Sequence, residues 1–454
     1  MLDLLLSEIL KLATDPDPDV RCRAIERARA EPDRPWPALV PLLGDPHPRV
    51  KRRAVALFRD LKPDDVLRAA LKSPSPAVRE GACRALRNQS ALLNDPHPDV
   101  RAAAAETLDD RSAAEQLEAF LKKESAALPR AYGLDALHRS APERSAPYLE
   151  AKEPHPEVRI VQAEIRPSAE LIADRDWRVR AAAIEACRKV RTREAIGWLV
   201  AQLPREKGRL RWDAVQALAD LTGRDLGLAP DSWAAWWSAN KDAFTPPAKG
   251  VAASSGTQAS FFSVPILSTR LVILLDLSGS MREPSPSGGT KLDEARRGTL
   301  ETLKALTPDV RFGLCGLGCD ADGAFTKVAE KTWGRRLQLF PAVPAAKADA
   351  ERFLRGLEAR GWTNLYDGLL HALSDPEVDT VFLYSDGGAS KGLFVAAAEI
   401  LDELARANRF RRAVIHAVEV PGDRNPADNK KLLAEIARRT GGTSKLHASG
   451  GAAR

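Results

Sequence analysis

Leu271-Val272-Ile273-Leu274-Leu275-Asp276-Leu277-Ser278-Gly279-Ser280 decides the fold of the second half of this chain. Five consecutive apolar residues, Leu271 to Leu275, read as a parallel strand buried on both faces. The loop leaving that strand carries a carboxylate and two hydroxyls at alternate positions. A tight loop can turn such groups toward one point as hard oxygen ligands, suited to Mg²⁺, Mn²⁺ or Ca²⁺.

Two later segments repeat the logic. Gly361-Trp362-Thr363-Asn364-Leu365-Tyr366-Asp367-Gly368-Leu369 is a polar loop running into a helix. Val381-Phe382-Leu383-Tyr384-Ser385-Asp386-Gly387 is a second apolar strand ending in a carboxylate and a glycine turn. All three place oxygen donors just past a strand end or at a helix start. Ligands of open α/β sheets bind at those carboxyl ends, where strand order reverses.

From Ala259 to His447 the chain resembles the von Willebrand factor A-type domain, the family that includes integrin inserted domains. The family's metal site is a DxSxS loop, a distant Thr and a later Asp. The resemblance implies Asp276, Ser278, Ser280, Thr363 and Asp386 for those places. It further implies that the serine hydroxyls touch the ion directly, that the threonine does so in ligand-competent states, and that the aspartates act through water. A carboxylate from a bound partner would complete the coordination. The competing reading of the same residues is a Ser/Gly-rich turn with capping roles only.

Around this stretch, strands alternating with helices predict a parallel sheet wrapped on both faces. Phe261–Leu267 is expected as an edge strand, with further strands at Val310–Leu317, Val381–Tyr384, Ala413–Val420 and Thr443–His447. Helices are expected at Lys291–Leu306, around Phe353–Leu357, at Leu365–Leu373 and at Leu432–Thr440. Arg282–Thr290, rich in Pro, Ser and Gly, is expected as a mobile flap beside the metal. The tail Ala448–Arg454 is too short and Gly-rich for the final helix that couples metal geometry to affinity in integrin inserted domains. Any regulation should therefore come through the flap or the first half of the chain.

That first half is a repeat array. Asp15-Pro16-Asp17-Pro18-Asp19-Val20-Arg21 recurs at 45–51, 73–79, 95–101 and 153–159, and without prolines as Asp174-Arg175-Asp176-Trp177-Arg178-Val179-Arg180. Degenerate copies lie at Leu128-Pro129-Arg130 and Leu210-Arg211-Trp212. The spacing is about 28 to 32 residues, with two shorter steps. The second proline of each copy sits at a helix start that needs no N–H. Behind it the apolar face follows helical spacing, as in Val78, Ala82, Cys83, Leu86 and Val100, Ala104, Ala105, Leu108. A unit that cannot bury its face alone must stack. The pattern resembles HEAT-like repeats, about seven or eight of them. The expected organisation is an α-solenoid over 1–243, a flexible linker over 244–258 and a doubly wound, mostly parallel A-type domain over 259–454.

The residue after each valine is basic: Arg21, Lys51, Arg79, Arg101, Arg159, Arg180, with Arg130 in a degenerate copy. Such a row is either a stripe for phosphates or a structural ladder of ion pairs between repeats. The recurrence of Asp15, Asp45 and Asp95 beside it favours the ladder. His47, His97 and His155 share the turns and read as caps or exposed turn residues. Trp233, Trp236 and Trp237 fall on one helical face and are expected to cap the last repeat.

Composition limits the function classes. The chain has 454 residues, a hydrophobic fraction of 44% and a net charge of +6, which does not by itself argue for nucleic acid. Five scattered cysteines, Cys22, Cys83, Cys187, Cys315 and Cys319, form no disulfide framework. The CxxxC spacing of Cys315 and Cys319 has no second ligand pair, which leaves a local disulfide or plain burial. The N-terminus has an acidic residue where a leader peptide needs basic ones, and no segment reaches membrane-span length. A soluble, cytoplasmic protein is expected, with a start trimmed downstream of a leader as the open alternative.

The leading functional expectation is metal-dependent protein binding by a scaffold that is not an enzyme. The partner would present an acidic residue to Mg²⁺, or to Mn²⁺ or Ca²⁺. The alternative is an accessory subunit or metal-assisted enzyme, a chelatase-like assembly or a hydrolase. Against catalysis, no nucleophile–base pair or phosphate loop is evident, and His371 and His416 read as packing residues. Nucleic-acid binding by the basic row is the weakest alternative. No catalytic residue is assigned, and partner identity and oligomeric state are left open.

Overall fold

The structure, a computed structural model, describes residues 2–31, 36–254, 256, 259–285, 287–319, 337–420 and 427–447. The chain divides into two compact units, Met1–Arg166 and Pro167–Arg454.

Among its described residues, the regular elements of the first unit are all helices. Its repeat helices begin at the second proline of each motif: Pro18–Ala30, Pro48–Leu61, Pro76–Leu86, Pro98–Thr107 and Pro156–Ile165. Proline is tolerated there because the first helical N–H has no intrahelical acceptor to lose. Asp17 caps its helix by accepting the Asp19 N–H at 2.8 Å. Small residues let the helices approach closely. A Cβ on Gly81 would lie 2.0 Å from the Leu43 carbonyl oxygen, so only glycine fits that crossing. Val100 and Ala102 to Ala105 are all buried on the Pro98–Thr107 helix. Cys22 and Cys83 are buried and in no disulfide, and burial pushes the Cys83 thiol up to about 12.

The basic row resolves into a ladder whose acid partners vary. Arg21 Nε donates to Asp45 at 2.7 Å, Arg79 to Asp95 at 2.7 Å, Arg101 to Glu124 at 2.5 Å and Arg130 to Glu153 at 2.8 Å. Lys51 pairs with Glu80. The same guanidiniums fold back onto their own turns. Arg79 donates to the Ser73 and Pro74 carbonyls, and Arg101 to those of Asp95 and Pro96. Each arginine thus closes its own turn and joins the next repeat. The acids are satisfied from a second side by backbone N–H groups, as at Asp95 from His97 and Glu124 from Ala126. The histidines serve the turns: His97 Nδ1 accepts the Asp99 N–H, and His155 Nε2 bonds the Ser125 carbonyl.

The second unit contains further helices of the array and the sheet. Helices Trp177–Val190, Arg193–Gln202, Gly208–Thr222 and Pro230–Asn240 precede the first strand. The ladder continues with Arg180 on Glu206 at 2.7 Å. Trp233 is fully buried, with its indole N–H on the Gly227 carbonyl at 2.8 Å. Trp236 and Trp237 are half-buried and pack edge-on to Phe244.

The segment expected as a flexible linker is strapped along the Gly208–Thr222 helix over its described part. Val251 N–H donates to the Ala219 carbonyl, Gln216 to the Ala253 carbonyl, and Arg191 to the Pro247 carbonyl at 2.7 Å. A Cβ on Gly250 would lie 1.8 Å from the Asp220 carbonyl oxygen, so the strap depends on glycine there. The physical reason is backbone satisfaction: polar main-chain groups laid on a helix find partners, which composition alone does not reveal.

Phe261–Leu267 is not an edge strand of the main sheet. β1, Ser260–Phe261, and β2, Val264–Pro265, form a separate antiparallel hairpin. Its turn residues Phe262 and Ser263 have φ of 47° and 63°, which suits a two-residue hairpin turn. The main sheet comprises β3 (Arg270–Asp276), β4 (Arg311–Leu317), β5 (Phe340–Pro341), β6 (Thr380–Ser385), β7 (Val414–Glu419) and β8 (Ser444–Leu446). Their spatial order is β5-β4-β3-β6-β7-β8, parallel except for the β4–β5 pair. Helices Lys291–Ala305, Pro344–Arg355, Leu365–Ala372, Ala397–Asn408 and Ala427–Thr440 connect the strands. The short β5 and the Ala397–Asn408 helix went unread in the sequence. Val272 and Leu274 enter one core, while Leu271, Ile273 and Leu275 enter the other, as a strand covered on both faces requires. The expected tail at Ala448–Arg454 lies outside the described residues.

The last helices of the array hold the amino ends of the strands. Arg209 donates to the carbonyls of Asp379, at 2.8 Å, and Arg412, at 2.6 Å. Arg270 stacks over Trp177 at 4.8 Å. The carboxyl ends are left to the loops. No helix among the described residues is long and apolar enough to cross a membrane.

Candidate metal centre at the strand ends

β3 is flanked by β4 on one side and β6 on the other, so the chain leaves β3 in one direction and returns on the opposite side. The crevice at the carboxyl end of β3 is the topological switch point. Asp276 is the last residue of β3 and is fully buried. Gly279–Arg282 then forms a short 3-10 turn that carries Ser280 back toward the sheet. Asp386 follows β6 and is buried.

These residues meet. Asp276 Oδ1 accepts the Ser278 N–H at 2.8 Å, which sets the turn. The Ser278 and Ser280 hydroxyl oxygens are 3.0 Å apart, and Ser280 donates to Asp386 Oδ1 at 3.0 Å. Thr363, also buried, comes in on the third loop. Gly279 N–H donates to the Gly361 carbonyl at 3.0 Å, which docks that loop on the first. Thr363 is held by its main chain: its N–H donates to Ser390 Oγ, and its carbonyl accepts the N–H groups of Ser390 and Lys391. Two carboxylates and two hydroxyls therefore form one hydrogen-bonded cluster, with a third hydroxyl on the adjoining loop. Hard oxygen donors of this kind fit Mg²⁺, Mn²⁺ or Ca²⁺.

The electrostatics follow from burial. Asp276 is pushed up to about 6, by its removal from water and then by the nearby charge of Asp386. Hydrogen bonds from Ser385 and Ser278 oppose the shift. The cluster thus carries negative charge that water does not relieve.

Several participants were not legible beforehand. Ser385 donates to Asp276 Oδ2 at 2.6 Å; its place directly before Asp386 was the one available signal. Lys291 is buried at 3% exposure and donates to Asp386 Oδ2 at 2.8 Å and to Glu283 at 2.6 Å. Burial alone would lower this ammonium's affinity for its proton, but the bonds to Asp386 and Glu283 outweigh it and hold it above the usual lysine range. Nothing in its sequence position announces that role.

The expected mobile flap is instead an anchored hairpin in its described residues. Ser285 N–H donates to the Gly289 carbonyl, and Lys291 N–H to the Glu283 carbonyl at 3.0 Å. Ser285 and Ser287 hydroxyls donate to Glu294 at 2.5 and 2.7 Å, and His447 bonds Glu294 at 2.8 Å. Gly288 and Gly289, with φ of 92° and 75°, make the tight return. A Pro- and Gly-rich stretch looked loose in sequence, but a buried carboxylate below it collects its hydroxyls.

Cys315, buried in β4, and Cys319 form no disulfide with each other. His416 stacks on Phe382 with ring centroids 5.0 Å apart and accepts the Thr443 N–H at 3.0 Å.

Comparison with known proteins gives the following matches. The HEAT repeat family model matches residues 90–110. Among solved structures, the chain is similar to a von Willebrand factor type A protein from Catenulispora acidiphila. The identity is 22% and the TM-score 0.31, over 41% of this chain and 40% of the other. It is also similar to proximal thread matrix protein 1 from the mussel byssus, at 16% identity and a TM-score of 0.27, over 39% of this chain and 40% of that one. An engineered protein matches at 18% identity and a TM-score of 0.16, over 47% of this chain and 94% of its own length. The chain thus spans about two fifths of the first two structures. No curated protein sequence matches it. The architecture is a helical array, matched by the HEAT repeat model at 90–110, followed by a mostly parallel sheet covered on both faces.

Proposed function

We propose that this chain is a protein-interaction scaffold whose strand-end site binds one divalent cation and, through it, an acidic group of a partner. The observation that carries the reading is the convergence of separate loops on one cluster, with Ser280 Oγ 3.0 Å from both Ser278 Oγ and Asp386 Oδ1. Asp276, Ser278, Ser280, Thr363 and Asp386 would hold the ion. A bound cation supplies positive charge to a site otherwise dominated by buried carboxylates, and a partly open coordination sphere accepts a carboxylate from outside.

Binding is preferred over catalysis because neither His416 nor His371 belongs to the strand-end cluster of Asp276, Ser278, Ser280 and Asp386. His416 lies within β7, engaged by Phe382 and Thr443. His371 sits in the Leu365–Ala372 helix, where burial lowers its proton affinity. Nucleic-acid binding by the repeat array is disfavoured because Arg21, Arg79, Arg101, Arg130 and Arg180 are committed to buried acids.

Mn²⁺ titrated calorimetrically into the full chain tests the ion. The expected result is one site in the wild type and none in Asp276→Ala. Equal binding by both proteins would refute the assignment. For the partner, affinity purification in Mg²⁺ should recover proteins that are lost both with EDTA and with Asp276→Ala.

A further inference from the structure

Lys291 has no place among the expected donors, yet it is the most deeply committed charge near them. It is the first residue of the Lys291–Ala305 helix, and its ammonium lies 2.8 Å from Asp386 Oδ2 and 2.6 Å from Glu283 Oε2. The Asp386 carboxylate is shared: Oδ1 accepts from Ser280 and Oδ2 from Lys291. The lysine is set there by the hairpin before it. The Pro284–Thr290 bridge and the Lys291 N–H to Glu283 carbonyl bond bring the two ends of the hairpin side by side. Thr290 and Asp293 then lock the helix start through a reciprocal capping box.

We infer that Lys291 is the site's built-in cation: it neutralises Asp386 in the metal-free chain and lowers the affinity of the cluster for a divalent ion. The inference rests on the divalent-cation reading above and adds the residue that tunes it. A buried carboxylate needs an opposite charge, and Lys291 supplies it without metal. The same ammonium, 2.8 Å from Asp386 Oδ2, would repel a divalent cation held by that carboxylate. The site would therefore stay folded when empty and would hold its ion weakly enough for exchange.

The test compares wild type with Lys291→Met and Lys291→Gln, the second keeping a donor toward Asp386. Mn²⁺ affinity is measured by calorimetry, and thermal midpoints are recorded in EDTA and in Mn²⁺. Both neutral variants should bind Mn²⁺ about tenfold tighter or more. Both should melt below wild type in EDTA and gain more from Mn²⁺ than wild type does. A variant that folds and binds Mn²⁺ no tighter than a wild type that does bind it overturns the inference alone. Absence of Mn²⁺ binding in all three proteins overturns the divalent reading and takes the inference with it. Should both variants fail to fold in EDTA, recovery of their helical circular dichroism by Mn²⁺, and not by choline chloride of equal ionic strength, supports the inference. Failure in both buffers overturns it, because a residue that only tunes charge is replaceable by the ion.

Discussion

The repeat ladder and the strand-end cluster both bury carboxylates, and they treat them in opposite ways. In the ladder each buried acid meets a basic side chain of the preceding repeat, as Glu153 meets Arg130, with the acid side chain only 2% exposed. At the strand ends Asp276 and Asp386 are buried near each other; the Lys291 ammonium serves Asp386, while among the described residues Asp276 is held by hydrogen bonds from Ser385 and Ser278. The ladder spends its charge on structure. The cluster retains unrelieved negative charge, the condition under which a cation site forms. The lesson is that burial of charge alone does not mark function; the balance of the buried set does.

The largest expected effect breaks the ladder. Arg130→Ala leaves Glu153 buried without its partner and should cost about 3–5 kcal/mol in urea unfolding. Replacing both residues by Met should recover most of that loss, because neither charge is then stranded. A small loss in the single variant would mean that water reaches Glu153, and the contrast between the two regions would fail.

The next effect has the opposite sign. In EDTA at pH 7, Asp276→Asn should be neutral to stabilising, by roughly 1–3 kcal/mol, because a carboxylate pushed up to about 6 carries its charge at a cost there. The same variant should lose any stabilisation by Mg²⁺. Chemical denaturation with and without the ion reads both outcomes, and destabilisation in EDTA would show that the charge is already compensated.

At neutral pH the smallest effect is a pH dependence away from both regions, which grows only as the pH falls below 6.5. Burial, followed by the Arg209 charge, lowers His416 from its ordinary value to about 4. The unfolded chain takes up a proton near 6.5 that the folded chain refuses. This residue's contribution is therefore intact above pH 6.5 and declines as pH falls toward about 4, by at most about 1.4 kcal/mol per unit. His416→Phe should flatten that part of the profile, and an unchanged slope would place the dependence elsewhere.

Much of this was legible in local pattern. The prolines and valines of the repeats mark helix starts because Pro at N1 and an apolar stripe are local requirements. The Leu271–Leu275 run marks a doubly covered strand for the same reason. Asp276, Ser278, Ser280 and Asp386 could be named because each follows a recognisable apolar segment. Glu124, Glu153 and Glu206, whose partners lie 23 to 26 residues away, were not named as ladder acids because the recurring acid in the motif is aspartate. The strap at 245–254 and the anchored hairpin were misjudged because Pro, Gly and Ser signal irregular backbone without saying what it rests on.

The amino-acid order by itself determined the stacked helices, the parallel sheet and the chemistry available at its strand ends, because periodicity and turn chemistry act over a few residues. Only the folded chain decided that Lys291 meets Asp386 across 95 positions and that Ser385 meets Asp276 across 109. Whether a buried carboxylate is compensated depends on which distant group the fold brings within hydrogen-bond reach, and no local pattern carries that distance.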